Sequence, residues 1–163
     1  MSAWMPDAGR VPAYSDAGPL AMDSPRSLWI ASGLGDEYSA ALAARYTNAE
    51  ARCPHIVYDA RTDEVIQMLP ADRRGMWVNS EGIQILVCGI PKDALFPDKG
   101  QAVESLPGLA GVLGWVRSLG VPDFCPLGPA VPTMPKAAGK AAGHYSSEGR
   151  IDVGRLLARS RVP

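Results

Sequence analysis

The sequence predicts an α/β domain, with a central mixed β-sheet flanked by helices and preceded by an irregular N-terminal arm. Three observations carry that prediction. Residues 37–50 and roughly 103–119 have the composition and apolar spacing of helices. Four short apolar runs, at 27–32, 54–59, 64–70 and 82–90, have the character of strands. Along the chain the order is strand, helix, strand, strand, strand, helix, loop, helix, which suits helices packed on a sheet.

Residues 1–27 are rich in Pro, Gly, Asp and Ser and read as an arm laid across the domain, with Trp4 and Met5 as anchors; residues 28–163 are the domain itself. "SLWIAS" is the first strand and "GLGDE" a turn. In "EYSAALAARYTNAE" Ala and Leu favour helix, and Tyr38, Ala41, Leu42 and Arg45 share one face, expected to pack inward. "PHIVYD", the turn "ARTD" and "EVIQMLP" form a hairpin. "GIQILVCGI" is the most apolar run and belongs at the centre of the sheet, with residues 91–101 a loop after it. Leu106, Leu109, Ala110, Leu113 and Val116 make one face of the second helix, with Pro107 tolerable in its first turn. Gly120 ends that helix and Pro122 lies beyond it. Residues 122–143 form a Pro/Gly/Ala loop of a length that is uncommon without a task. A last short helix covers about 153–159.

The chain has 163 residues, enough for one core, with 47% hydrophobic and 20% charged residues and a net charge of −1. No basic surplus points to a nucleic acid partner, and no run approaches the ~20 apolar residues of a membrane-spanning helix, so neither nucleic acid binding nor membrane insertion is expected. Cys53, Cys88 and Cys125 are odd in number and lack CxxC spacing, so they read as apolar fillers in a reducing compartment. The N-terminus lacks the charged and apolar regions of a signal peptide, which implies synthesis in a cytoplasm.

One stretch carries potential chemistry, "AGHYSSEGRIDVGRLL" at 142–157. It holds His144, one of two histidines, and Asp152 eight residues on. A histidine and a carboxylate brought together from a loop can hold zinc. Asp152 also stands just before the last helix, where it can accept from backbone N–H groups as an N-cap.

Several phrases, in order, resemble type-2 N-acetylmuramoyl-L-alanine amidases. "PHIVYDARTDEVIQMLPADRRGMWVNS" is similar to their hairpin followed by an A-W-H-A-G segment, and "GIQILVCG" to their I-G-I-E-L-x-G strand. "LAGVLGWVRSLGVP" resembles their long helix, and "GHYSSEGRIDVG" their closing G-H…D-P-G motif. The opening "AWMPDAGRVP" looks like the W-x-P-x-A start of actinobacterial and actinophage members. The same fold carries the peptidoglycan recognition proteins. The resemblance implies a groove for a muramyl peptide, placed on Trp77, His55 and Asn79, and a zinc ion held by two histidines and an Asp or Cys.

Position by position, the implied machinery is incomplete. The first zinc histidine falls on Ala31, Ser32 or Gly33, the groove histidine on Val78, and the proton-handling Glu on Leu86. His144 and Asp152 remain as relic or weak metal positions, with Val153 in place of the motif's proline, and His55 is a substitute ligand in a rearranged set. Loss of the Glu alone removes typically about 10²–10⁴-fold of rate. The expectation is therefore a catalytically degenerate amidase-like domain with no catalytic residue and no cofactor, serving as a peptidoglycan-associated or structural module. The setting that fits is a minor protein of an actinophage tail tip, carried in the virion, with peptidoglycan or muramyl peptide and other virion proteins as partners. The alternative is an active zinc amidase, an endolysin, using His55, His144 and Asp152. A third reading is a scaffold that makes no wall contact.

Overall fold

Two strands with no polar face at all form the middle of the molecule. β2 (Arg26–Ala31) and β5 (Ile83–Cys88) are buried along their whole length and pair in parallel, Trp29 beside Ile85 and Ile30 beside Leu86. Strands covered on both faces read as continuous apolar runs, which is why the sequence marks 82–90 as central. The computed structural model describes residues 3–21, 23–34, 37–78, 81–91, 93–97, 102–126, 141–146 and 150–160.

Around this pair the sheet has six strands in the order β1-β4-β3-β5-β2-β6. β3 (Ile56–Asp59) runs parallel to β5 and forms an antiparallel hairpin with β4 (Glu64–Gln67). β1 (Gly9–Arg10) lies along the outside of β4, and β6 (Gly143–Ser146) lies parallel to β2 at the other edge. Helix α1 (Ala40–Ala49) links β2 to β3, and α2 (Pro107–Ser118) lies between β5 and β6 in the chain; α3 (Val153–Arg159) follows β6. The fold is the mixed, helix-flanked sheet that the sequence predicts.

The pleat divides the core in two. Trp29, Ile56, Tyr58, Ile85 and Val87 cluster with Leu109, Leu113 and Val116 of α2 and Leu156 of α3. Leu28, Ile30, Val57, Leu86, Cys88 and Tyr145 cluster with Ala40, Ala43 and Ala44 of α1. The α1 face differs from the expected one. Its inward row is Ala40, Ala43, Ala44, Thr47 and Asn48, while Leu42 is 48% exposed. Alanines let the helix lie close to the sheet, and the larger Tyr38 and Tyr46 meet edge to face at 6.2 Å.

The second helix is also subdivided. Val103–Ser105 is a separate 3₁₀ turn, and α2 begins at Pro107, a favoured first position. Its free N–H groups are satisfied from the β3–β4 turn: Asp63 accepts from Gly108 N at 2.7 Å and Leu109 N at 2.9 Å. Gly120, with φ +92°, follows the helix as expected.

Two strands are absent from the sequence reading. β6 has no apolar alternation and is a strand because β2 supplies its partners. β1 belongs to the arm, which continues along β4 through Val11 N to Gln67 O and Ala13 N to Met68 O. Met5 anchors the arm as expected, buried in the α2-side cluster, and Trp4 stacks under Arg10 at 4.7 Å. Residues 127–140 of the predicted long loop lie outside the described residues. No helix among the described residues is long and apolar enough to cross a membrane.

Candidate functional site

His144 lies within β6, opposite Ser27 of β2. Ser27 Oγ and His144 Nδ1 are 2.6 Å apart, and Ser27 Oγ also accepts from Trp29 Nε1 at 2.9 Å. Nε2 faces the Asp123 carboxylate and so carries the imidazole proton, which leaves Nδ1 to accept from the Ser27 hydroxyl. Nε2 is buried, has no hydrogen-bond partner among the described residues, and points towards Asp123 Oδ1 at 3.6 Å. Asp123 is in turn gripped by Arg117, with Nε at 2.9 and 3.0 Å and Nη2 at 2.8 Å. Burial pushes the His144 pKa down to about 4, against the opposing pull of Asp123. Arg117 holds Asp123 below the usual carboxylate range. The arrangement is a relay from the core indole to a surface ion pair, with a neutral histidine in the middle.

Asp152 serves α3. Its side chain accepts from Arg155 N at 2.8 Å, the N-cap role that its position predicts, and Arg155 Nε lies 3.7 Å away. Cys125 is half-buried, and burial followed by the charges of Asp152 and Asp123 raises its thiol. Among the described residues no three His, Cys, Asp or Glu side chains converge as a metal site.

His55 is elsewhere. It is fully buried just before β3, where Nδ1 accepts from Gln84 N at 3.0 Å and Nε2 donates to the Arg73 carbonyl at 2.6 Å. Desolvation holds its pKa down at about 4. Both nitrogens are engaged, so neither offers a lone pair to a metal. Its backbone N donates to Gln84 O of β5, and β5, β2 and β6 follow in order, so three strand spacings, about 14 Å, separate it from His144. The structure therefore does not bring His55, His144 and Asp152 together, because strand pairing fixes the two histidines far apart. Leu86 sits fully buried against α1, on the face opposite the Ser27, Trp29 and His144 side chains.

Trp77 is largely buried, with the Arg52 guanidinium 4.3 Å from its ring centre and Arg52 Nη2 on its carbonyl at 3.0 Å. Asn79 lies outside the described residues. Gln84 ties this segment down: its Oε1 accepts from Trp77 N at 3.0 Å and its Nε2 donates to Val78 O at 2.8 Å. Sequence reasoning missed Gln84, although a glutamine inside an otherwise apolar strand is a visible signal, since a buried amide needs partners. It missed Asp59 as well. Asp59 is buried at the end of β3, in register with Cys88; Oδ1 accepts from Arg61 N at 2.9 Å while Oδ2 has no partner among the described residues. Burial, then the Asp59 charge, pushes the Cys88 thiol up to about 12, an inert state in keeping with a filler role.

No family model and no curated protein matches the sequence. Two solved structures do match. The Staphylococcus aureus hydrolase AmiA, solved in complex with its ligand, aligns over 96% of this chain and 83% of its own, at 9% identity and a TM-score of 0.56. The endolysine N-acetylmuramoyl-L-alanine amidase LysCS from Clostridium intestinale URNW aligns over 88% of this chain and 82% of its own, at 9% identity and a TM-score of 0.49. At such identity the likeness to AmiA is one of fold: the six-stranded sheet with flanking helices is shared.

Proposed function

We propose that this chain is a peptidoglycan-associated module of amidase-like fold whose own residues do not complete a hydrolytic zinc centre. The fold shared with the hydrolase AmiA and the amidase-like order of motifs support the wall connection. The observation that carries the loss of chemistry is the environment of His144. Zinc in a hydrolytic site needs about three protein ligands around one open position. Here His144 Nε2 faces a carboxylate already held by Arg117, Asp152 caps a helix, and Ala31 stands where β2 ends. The residues present do not fit the metal. The arm's resemblance to actinophage sequences supports a virion tail tip as the setting.

A zinc amidase with rearranged ligands is the second reading, and one observation favours it. Nε2 of His144 is buried without a hydrogen-bond partner among the described residues, and with the imidazole proton moved to Nδ1, where Ser27 Oγ can accept it, the Nε2 lone pair would face Asp123. Elemental analysis after zinc reconstitution separates the two, with His144→Ala alongside. The proposal expects no stoichiometric zinc, retention of the protein on purified cell wall at moderate salt, and no muropeptide release. About one zinc per chain, lost in the variant and accompanied by muropeptide release, would overturn it; so would failure to be retained on the wall.

A further inference from the structure

The arm is seated on the domain as a separate peptide would be. Its main chain pairs with the outer edge of β4 at Ile66 and Gln67, and Val11 N and Ala13 N donate to Gln67 O at 3.2 Å and Met68 O at 3.1 Å. Further along, Ala17 N donates to Arg74 O at 3.0 Å, Arg74 N to Gly18 O at 2.8 Å and Leu20 N to Asp72 O at 2.8 Å. Among the described residues of 3–21 one side chain is buried, that of Met5, at 4% exposure. It enters the α2-side core where Gly111 has no side chain: a Cβ there would come to 2.7 Å of Met5 Cε. Gln67 fixes the entry, its Oε1 accepting from Met5 N at 2.6 Å and its Nε2 donating to Ala3 O at 3.1 Å. Asp16 adds an ion pair with Arg73 Nη2 at 2.7 Å.

Main-chain pairing along a sheet edge, with one side chain in a socket, is how sheets take up peptide strands; the pairing gives strength and the socket selectivity. An element held by so little buried apolar surface opens ahead of the core. Leu20 N closes the arm and Arg26 begins β2, so a separated arm stays tethered by the chain between them. The strand whose fit is on view is the arm's own, and a second copy presents that strand in the same register.

We propose that the β4 edge with its Met5 socket is a strand-binding site through which two copies of this chain exchange arms. Within one chain the tether holds the arm at an effective concentration of about millimolar. An isolated chain therefore keeps its own arm, and exchange belongs to assemblies in which copies are crowded together. The site does not rest on the peptidoglycan reading, because it lies at the β1–β4 edge of the sheet and His144 at the β6 edge.

The test uses the full chain with Met5→Gly, which empties the socket in cis, and a fluorescent peptide of residues 3–21 followed by anisotropy. The peptide is expected to bind this variant saturably, and the wild-type chain at least about tenfold more weakly, because there the tethered arm competes. A peptide that itself carries Met5→Gly should lose at least about tenfold in affinity for the variant, the effect of leaving one apolar side chain out of its socket. No saturable binding to the variant, equal affinity of the two peptides, or equal affinity for variant and wild type would each overturn the proposal. Should the variant not fold, the wild-type chain decides. Copies with labelled methionine methyls are mixed with unlabelled copies at about millimolar concentration and warmed briefly. An isotope-filtered NOE from the Met5 methyl of one copy to the Gly111 α-protons of another is expected, and its absence would refute exchange.

Discussion

His55 and His144 are the two histidines of the chain, and each is held neutral by burial with a pKa of about 4 against 6.5 when free. Between those values the unfolded chain binds more protons than the folded one. Stability is therefore full above about pH 6.5 and is lost as the pH falls towards 4, on the order of 3 kcal/mol per histidine once both states are protonated. Urea denaturation from pH 7 to pH 4 should show that fall, and a flat profile would refute the assignment. Gln84 gives a second prediction. Gln84→Leu leaves Trp77 N and Val78 O without their partner, at a cost of about 2–4 kcal/mol, read as a lowered denaturation midpoint; a loss below about 1 kcal/mol would mean that water replaces the amide. At this scale the sequence was partly legible. Asp152 could be read as a cap because its partner is three residues away. The surroundings of His144 could not be, because Ser27 lies 117 residues away and nothing local marks the pair.

Among the elements, α2 depends on a carboxylate outside itself. Asp63, in the β3–β4 turn, accepts from two of its N–H groups and from the Tyr58 hydroxyl, joining hairpin to helix. Asp63→Ala removes a cap and leaves that buried hydroxyl without an acceptor, so a loss of about 2–4 kcal/mol is expected in chemical denaturation. Asp63→Asn, which keeps an acceptor oxygen and tolerates the left-handed φ of +62° better than Ala, should recover part of it; equal losses would mean that the carboxylate charge carries the cap. The turn itself was visible in "ARTD", but its reach to residue 108 was not. The same distinction explains the other elements. Strands β2 to β5 announce themselves by apolar runs, whereas the four residues of β6 are ordered by β2. In α1 periodicity alone cannot tell an alanine row from a Tyr/Leu row, and close packing on the sheet selects the alanines.

For the whole molecule, the arm is a structural part of the sheet. It pairs with β4 at Ile66 and Gln67, and Met5 N donates to Gln67 Oε1 at 2.6 Å. Removing residues 1–13 uncovers the edge of β4 and the Met5 socket in the α2-side core. Self-association through the bare edge is expected, with a lowered thermal midpoint. Light scattering and a thermal scan check this, and a monomer of unchanged midpoint would show the arm to be dispensable. The architecture was legible in the order of strands and helices; which edges the arm and β6 occupy was not, since pairing partners far apart in sequence leave no local trace.

The distance along the chain between Ser27 and His144 has a consequence for biogenesis. β2 leaves the ribosome long before β6, with 117 residues between Ser27 and His144, yet among the described residues the outer edge of β2 is covered only by β6. Contacts of such long sequence separation close late, because most of the chain's entropy must be given up before they form. During synthesis the nascent sheet therefore carries an open flank until residue 146 has emerged. A chain stalled before that point exposes the same hydrogen-bonding edge that His144 later seals, and is the species on which a chaperone would act.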